Sequence, residues 1–541
     1  MLAACAVALT WAPAILGLGA ILRIQGDPAL RPGIAGFLGL GVAGVSAASL
    51  NFWFALTPSI SAAIWATGTV LFAIRFKWIF GAFDFRDTVV LVLLLAVASS
   101  AMRRPGFHYD TVLYHLQAVQ WITERSLYAG IANVHFRLGF NSIWWGVAAT
   151  VEHPLAVGKS AFFLNQLPIL FAGQVAIVGL KRLAAGVRSF ANLMLAGVCL
   201  PIASATFGIG GLYVDYTASI VVYLALALWA HAWEAGDRFG QEAEPAALLS
   251  LLAGLLSISA AVLPAVSLLG LAVHRPGLPF RWWLRAGSIS VVAAVPWLAR
   301  GLTLSGCFVF PVWTTCINRL PWVVPESKTR SVAAIIKSWA QRPASPHDGS
   351  LAWAREWPGR NLDGYPELRV LLFTAVLGLA LWLVRPRRVS KPAMGVLVMA
   401  SMGATFWFFA APEPRFGLGF LFALGLAPLF SGLAAANGLH EKRVVRVTLA
   451  TVMVVGSIGL ALALYGHSRA GNPAARLPWR PPLLDWPTMP RARVKVMTTE
   501  SGFRIYAPLL GETCGASSIP CTPDAELDPS LRFDGYFTVA H

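Results

Sequence analysis

Residues 246–273 read AALLSLLAGLLSISAAVLPAVSLLGLAV, 28 consecutive positions without one Asp, Glu, Lys, Arg or His. Whether this run crosses a membrane once or twice decides the side on which everything after it lies. Lys and Arg concentrate in the short loops that stay on the cytoplasmic side. Here those clusters are Arg23/Arg31, Arg75/Lys77/Arg86, Lys181/Arg182/Arg188, Arg275/Arg281/Arg285, Arg385/Arg387/Arg388/Lys391 and Lys442/Arg443/Arg446. All fall on one side only if 246–273 is two short helices meeting near SISAAVLP and both termini lie outside. Pro264 and the small polar pair Ser257 and Ser259 favour such a break. A single helix would carry HRPGLPFRWWLR outside and invert every later segment.

Composition sets the class around this hairpin. Of 541 residues, 57% are hydrophobic and only 12% charged, and the mean hydropathy is +0.65. An ordinary soluble domain carries roughly 25% charged residues. Apolar runs, most near the length that spans about 30 Å of hydrocarbon, give proposed spanning segments near 2–23, 33–56, 59–74, 88–102, 161–180, 190–207, 215–233, 246–258, 262–273, 287–302, 369–384, 392–411, 417–436 and 446–466, the pair 246–258 and 262–273 being short. The expected fold is therefore an all-α polytopic membrane protein with about 13–14 transmembrane helices. Met1 to Ile24 has no basic residue before its apolar stretch and no small-residue cleavage site, so it reads as the first span rather than a signal peptide. The net charge of +17 is spread over short loops instead of forming one basic domain, which argues against nucleic acid as a partner.

The expected organisation is a four-helix membrane segment at 1–102, an extracytoplasmic loop at 103–160, helices including the hairpin at 161–302, a second extracytoplasmic loop at 303–368, helices at 369–466 and a small extracytoplasmic tail at 467–541. Function is expected on the outer face, because binding residues concentrate on loops held by a rigid scaffold. No GxxxxGK[ST], strand-to-helix GxGxxG or internal repeat is visible.

The densest polar group is RRPGFHYDTVLYHLQAVQWITE, where a helix starting near Asp110 sets Tyr114 one turn on and His115 beside it. These form an acid/base cluster, or else Asp110 is an N-cap opening an amphipathic helix on the membrane surface. In GIANVHFRLGFNSIWWG, His135, Arg137 and Asn141 precede an apolar stretch too short to span, which could lie flat and offer donors to an anionic head group. Asp215, Arg300, Glu413 and Arg415 stand where spans meet the outer surface. Together they would give an outer cavity acids and guanidiniums, and Arg suits bidentate phosphate contacts. Cys5 and Cys199 read as small core hydrophobes. Cys514/Cys521 and Cys307/Cys316 are candidate short-loop disulfides if they face an oxidising compartment.

YDTVLYHL, GLYVDYTAS, PWLARGLTLSGCFVFP and WFFAAPEPRF, in that order from about residue 88 onward, resemble the GT-C superfamily of polytopic glycosyltransferases, closest to a bacterial branch of multi-spanning proteins. The resemblance implies a GT-C-like fold in a bacterial inner membrane. It also implies transfer of a sugar from a polyprenyl-phosphate carrier to an acceptor on the outer side, with Asp110 as base. Tyr114 and His115 would orient base or acceptor; Arg300, Arg415, His135 and Arg137 are donor-phosphate candidates, and Asp215, Glu413 and Asn141 further cavity residues. Some members hold a divalent metal, but no adjacent acidic pair marks the first loop. The chain departs from the pattern in lacking a Lys at SISAAVLP and in having four spans before that loop. Two other classes stand beside this one: a lipid or glycan transporter, which would explain a broken helix, and a non-catalytic envelope-assembly protein using its loops and tail.

Overall fold

The computed structural model describes residues 2–101, 109–205, 211–274, 278–341, 352–384, 389–435, 491–499, 501–523 and 527–539. The proposed span 446–466 and the clusters Arg385/Arg387/Arg388 and Lys442/Arg443/Arg446 lie outside them, as does Arg275.

Helices follow one another as α1 (Leu2–Ala20), α2 (Arg31–Leu50), α3 (Pro58–Phe80), α4 (Asp87–Ala101), α5 (Leu116–Glu124), α6 (Ile143–Thr150), α7 (Gln166–Ala184), α8 (Phe190–Gly197), α9 (Cys199–Ala205), α10 (Asp215–Glu234), α11 (Phe239–Leu256), α12 (Val262–His274), α13 (Phe280–Ser305), α14 (Glu326–Gln341), α15 (Ala352–Gly364), α16 (Pro366–Val384), α17 (Lys391–Ala410) and α18 (Pro414–Ala435). Among the described residues eight helices are long and apolar enough to cross a membrane, which makes this an all-α integral membrane protein. That is fewer than the 13–14 expected. The apolar run 190–207 is divided between α8 and α9, while α4 and α12 have only 15 and 13 residues.

Tight helix contacts form where side chains are absent. A Cβ on Gly17 would strike the carbonyl of Gly68, and one on Gly19 or Gly39 would strike Ala35 or Ile15, so α1 packs backbone to backbone on α2 and α3. Small residues permit this approach, which helices in lipid use because hydrocarbon already satisfies their apolar faces.

Ion pairs gather at one end of the bundle. Asp27 accepts from Arg182 and lies 3.5 Å from His231 Nε2; its backbone N–H donates to Glu242 at 3.1 Å. Burial alone would raise the Asp27 carboxyl, but hydrogen bonds from His231 and Arg182 hold it well below the usual carboxylate range. Lys181 reaches Asp84 at 2.7 Å and Asp87 at 3.2 Å, and Arg31 donates to the Trp78 carbonyl at 3.1 Å. The basic loops 23–31, 77–86 and 181–188 thus meet. The segment after α12 returns to them as well: Trp282 donates to Gly240 O at 2.7 Å and Arg285 to Glu244 at 2.5 Å. Between α11 and α12 the helix is interrupted, with Ser257 extended and a 3-10 turn over Ile258–Ala260. This break sits at the opposite end, where Ser142 Oγ donates to Leu256 O at 2.7 Å and Ser259 Oγ to Phe416 O at 2.9 Å.

That opposite end also carries the loops and the tail. Cys307–Cys316 and Cys514–Cys521 are disulfides. The tail forms antiparallel β1 (Val494–Thr498) and β2 (Arg504–Pro508), with Val494 facing Pro508, and a short pair β3 (Arg532–Phe533) and β4 (Phe537–Thr538). It docks on the first loop through Gly515 N–H to Val112 O at 2.7 Å and Phe537 N–H to Ala129 O at 2.9 Å. Beneath them Ile505, Leu531 and Phe537 pack with Trp121, Ile131 and Leu138 in one apolar cluster.

Because Phe537 is 1% exposed there, Phe537→Ala should cost roughly 3–5 kcal/mol of docking and packing. Hydrogen–deuterium exchange across 112–138 should rise in that variant. Unchanged exchange would show that the first loop does not depend on the tail.

Candidate functional site

Asp110 immediately precedes a π-helical turn, Thr111–His115, that runs into α5. Its carboxylate makes no capping bond to that turn. Instead Oδ2 accepts from Arg415 Nη2 at 2.7 Å, across 305 residues of chain. Arg415 stands in the first turn of α18, and its Nη1 lies 3.5 Å from Oδ2 of Asp215, the first residue of α10. An acid at a helix N-terminus also meets the positive end of the helix dipole. The side chains of Asp110, Asp215 and Arg415 are 20%, 10% and 7% exposed. Aromatic rings of Tyr213, Trp339 and Phe416 flank the guanidinium at 5.9, 5.5 and 5.0 Å.

Glu413 joins from the APEP turn. Its carboxylate accepts from the Tyr365 hydroxyl, and its backbone is pinned by Trp407 Nε1 to Glu413 O at 2.8 Å and Trp357 Nε1 to Pro412 O at 2.6 Å. Burial and then the Glu413 charge hold the Tyr365 proton well above the usual phenol range. Tyr114 stacks edge-on against His115 at 4.3 Å, and the His115 ring lies 4.5 Å from Trp145. His115 is buried and Tyr114 partly so, and their stacking braces the turn carrying Asp110. Burial, reinforced by the charges of Asp110 and Asp215, pushes the Tyr114 phenol far up, while Arg415 and Arg137 pull it the other way. Arg137 therefore belongs to the same electrostatic neighbourhood.

The tail contributes one group that sequence reading missed: Glu512 accepts from the Tyr109 hydroxyl at 2.5 Å, one residue before Asp110. Tyr213, Trp339 and Tyr365 were also missed. Their sequence context, aromatic residues at the ends of apolar runs, is the same as that of many interface anchors.

Other expected residues lie elsewhere. Arg300 donates to Asn51 Oδ1 at 2.8 Å, and the Asn51 amide donates to the carbonyls of Ile122 and Arg125 at the far end of α5. At 1.5 Å per residue that is about 20 Å from Asp110. Asn141 donates to Trp297 O at 2.5 Å, and His135 is 1% exposed. The expectation that this stretch lies flat on the membrane is overturned: every residue of α6 is buried, packed against α2. Lipid and protein interior are equally apolar, so hydropathy does not tell them apart.

Among the described residues no three His, Cys, Asp or Glu stand close enough to hold a metal ion. The Arg415 guanidinium occupies the position between Asp110 and Asp215 that a cation would need.

Buried ion pairs at the loop-bearing end of the helix bundle define a membrane protein with an organised polar site there. The chain belongs to the family of a domain of unknown function, DUF8201, whose match spans residues 1–422. That span takes in Asp110, Asp215, Glu413 and Arg415 but not the tail with Glu512. No curated protein and no solved structure matches the chain.

Two measurements check this geometry. Arg415→Gln leaves buried carboxylates without their partner and should cost about 3–5 kcal/mol in unfolding free energy, against under about 1 kcal/mol for a surface arginine. Equal losses would remove the ion pair from the core of the site. Burial and then the Glu512 bond push the Tyr109 phenol up to about 12. The folded chain keeps that proton to higher pH than the unfolded chain, so this contribution to stability is complete below about pH 10 and lost as pH rises through the folded value. A difference titration of tyrosinate absorbance against Tyr109→Phe should place it there, and Glu512→Gln should bring it back toward 10.

Proposed function

We propose that the protein is a GT-C-type glycosyltransferase of a bacterial inner membrane, moving a sugar from a polyprenyl-phosphate carrier to a hydroxyl acceptor on the extracytoplasmic face. The observation that carries this reading is the meeting of Asp110, Asp215 and Arg415, from three of the four motifs behind the resemblance, in one partly accessible site. Asp110 is the base, because it exposes more of its carboxylate than Asp215, and Glu413 is sealed at 2% exposure.

In this mechanism the acceptor hydroxyl gives its proton to Asp110 as its oxygen bonds to the anomeric carbon. The bond from that carbon to the carrier phosphate breaks, and the phosphate leaves with the electron pair. Cationic stabilisation of the leaving group falls to Arg137, with Arg415 shared between phosphate and carboxylates. Arg300 has no part, being too distant. A cleft of about 610 Å³ beside α15 and α16, lined by Leu362, Leu372, Phe373 and Val376 with Asp363 and Arg369, would take the isoprenoid chain. A single displacement inverts the anomeric configuration.

Replacing Asp110 by Asn keeps shape and removes basicity, and should lower transfer about 10²–10⁴-fold. Mass spectrometry of lipids that copurify with wild type and Asp110→Asn should find a polyprenyl phosphate, sugar-bearing in the variant. Undiminished turnover would eliminate Asp110 as base; repeated absence of such a lipid would move the reading to a transporter or an assembly protein.

A further inference from the structure

Arg300 lies in the last turns of α13 and is 7% exposed. The other well-buried arginine of this end, Arg415, is matched by carboxylates. Arg300 is not: among the described residues no carboxylate lies within ion-pair distance, and its hydrogen bond goes from Nη1 to a neutral amide oxygen, Asn51 Oδ1, at 2.8 Å. A guanidinium has five N–H donors, so most of this fork is left for another ligand.

The amide that holds it is itself fixed. Asn51 Nδ2 donates to the carbonyls of Phe54, Ile122 and Arg125 at 3.2, 3.4 and 2.9 Å, which obliges Oδ1 to face the arginine. Three residues earlier on the same face of α13, the buried Trp297 indole N–H has no partner among the described residues. A buried charge without a counter-charge is strongly unfavourable, and arginine in a spanning helix costs about 2.5–3.5 kcal/mol even on insertion scales. The same helix exposes Val291, Val292 and Val295, a face suited to hydrocarbon.

We propose that Arg300, backed by Asn51 and assisted by the Trp297 N–H, binds the phosphate of an anionic phospholipid head group at a site distinct from the Asp110–Arg415 cluster. Arginine meets phosphate in two parallel charge-assisted bonds, and a lipid delivers that oxyanion where a spanning helix meets the membrane surface. The inference is independent of the transferase reading, since it uses neither Asp110 nor a sugar.

The test uses the full chain in neutral detergent after delipidation, with native mass spectrometry against phosphatidylglycerol, phosphatidylcholine and inorganic phosphate. Wild type should retain phosphatidylglycerol over phosphatidylcholine, and Arg300→Gln should weaken it roughly tenfold or more, while Arg330→Gln, at an exposed arginine paired with Glu326, should leave it unchanged. Arg300→Lys keeps the charge but loses the fork and should bind at an intermediate level, which decides the matter if the Gln variant does not fold. Thermal stabilisation by inorganic phosphate alone, lost in Arg300→Gln, would overturn the lipid as source while keeping the oxyanion site. Equal lipid retention by wild type and both Arg300 variants, or an equal loss in Arg330→Gln, would overturn the site.

Discussion

The salt bridge from Arg415 to Asp110, extended to Asp215, is the constraint on which the loop-bearing end of this molecule depends. A guanidinium so deeply buried must be compensated, and its two acids come from segments separated by 105 and 305 residues along the chain from Asp215 to Asp110 and from Asp110 to Arg415. Satisfying it ties the start of α18 to the start of α10 and to the π-helical turn ahead of α5. Glu413 adds a third carboxylate to the same neighbourhood. Such a site holds acidic groups beside the Tyr114 phenol, and Arg137 contributes positive charge to the same neighbourhood.

The two ends of the bundle treat charge differently. At the basic end Asp27, Glu244 and Lys181 close ion pairs between helices and their connecting loops. At the other end the polar groups are roofed by loops closed by disulfides and by the docked tail. The tail lies outside the family match, yet it contacts the turn bearing Asp110 directly, through Gly515 on Val112 and Glu512 on Tyr109. The DUF8201 region therefore supplies the ionic core of the site, and a segment beyond it braces the approach.

Arg300 and Arg415 are a matched contrast. Both are arginines near the ends of apolar helices and both are nearly sealed. One is paired with carboxylates and the other with an amide, so only the first has its charge compensated by the described residues.

What the sequence determined by itself is the membrane character of the chain. Apolar runs long enough to span cannot be hidden otherwise, and ionisable residues stand out where those runs end, so Asp110, Asp215, Glu413, Arg300 and Arg415 were all legible as candidates. The tertiary structure alone decided which of them meet. Position along a helix reports depth in the bilayer, but the direction a side chain faces around the bundle depends on packing, so Arg415 reaches Asp110 while Arg300, at a similar depth, turns to Asn51. It also decided that α6 is buried among helices instead of lying on the membrane, because hydrocarbon and protein interior make the same demand on an apolar residue and only neighbouring backbone distinguishes them.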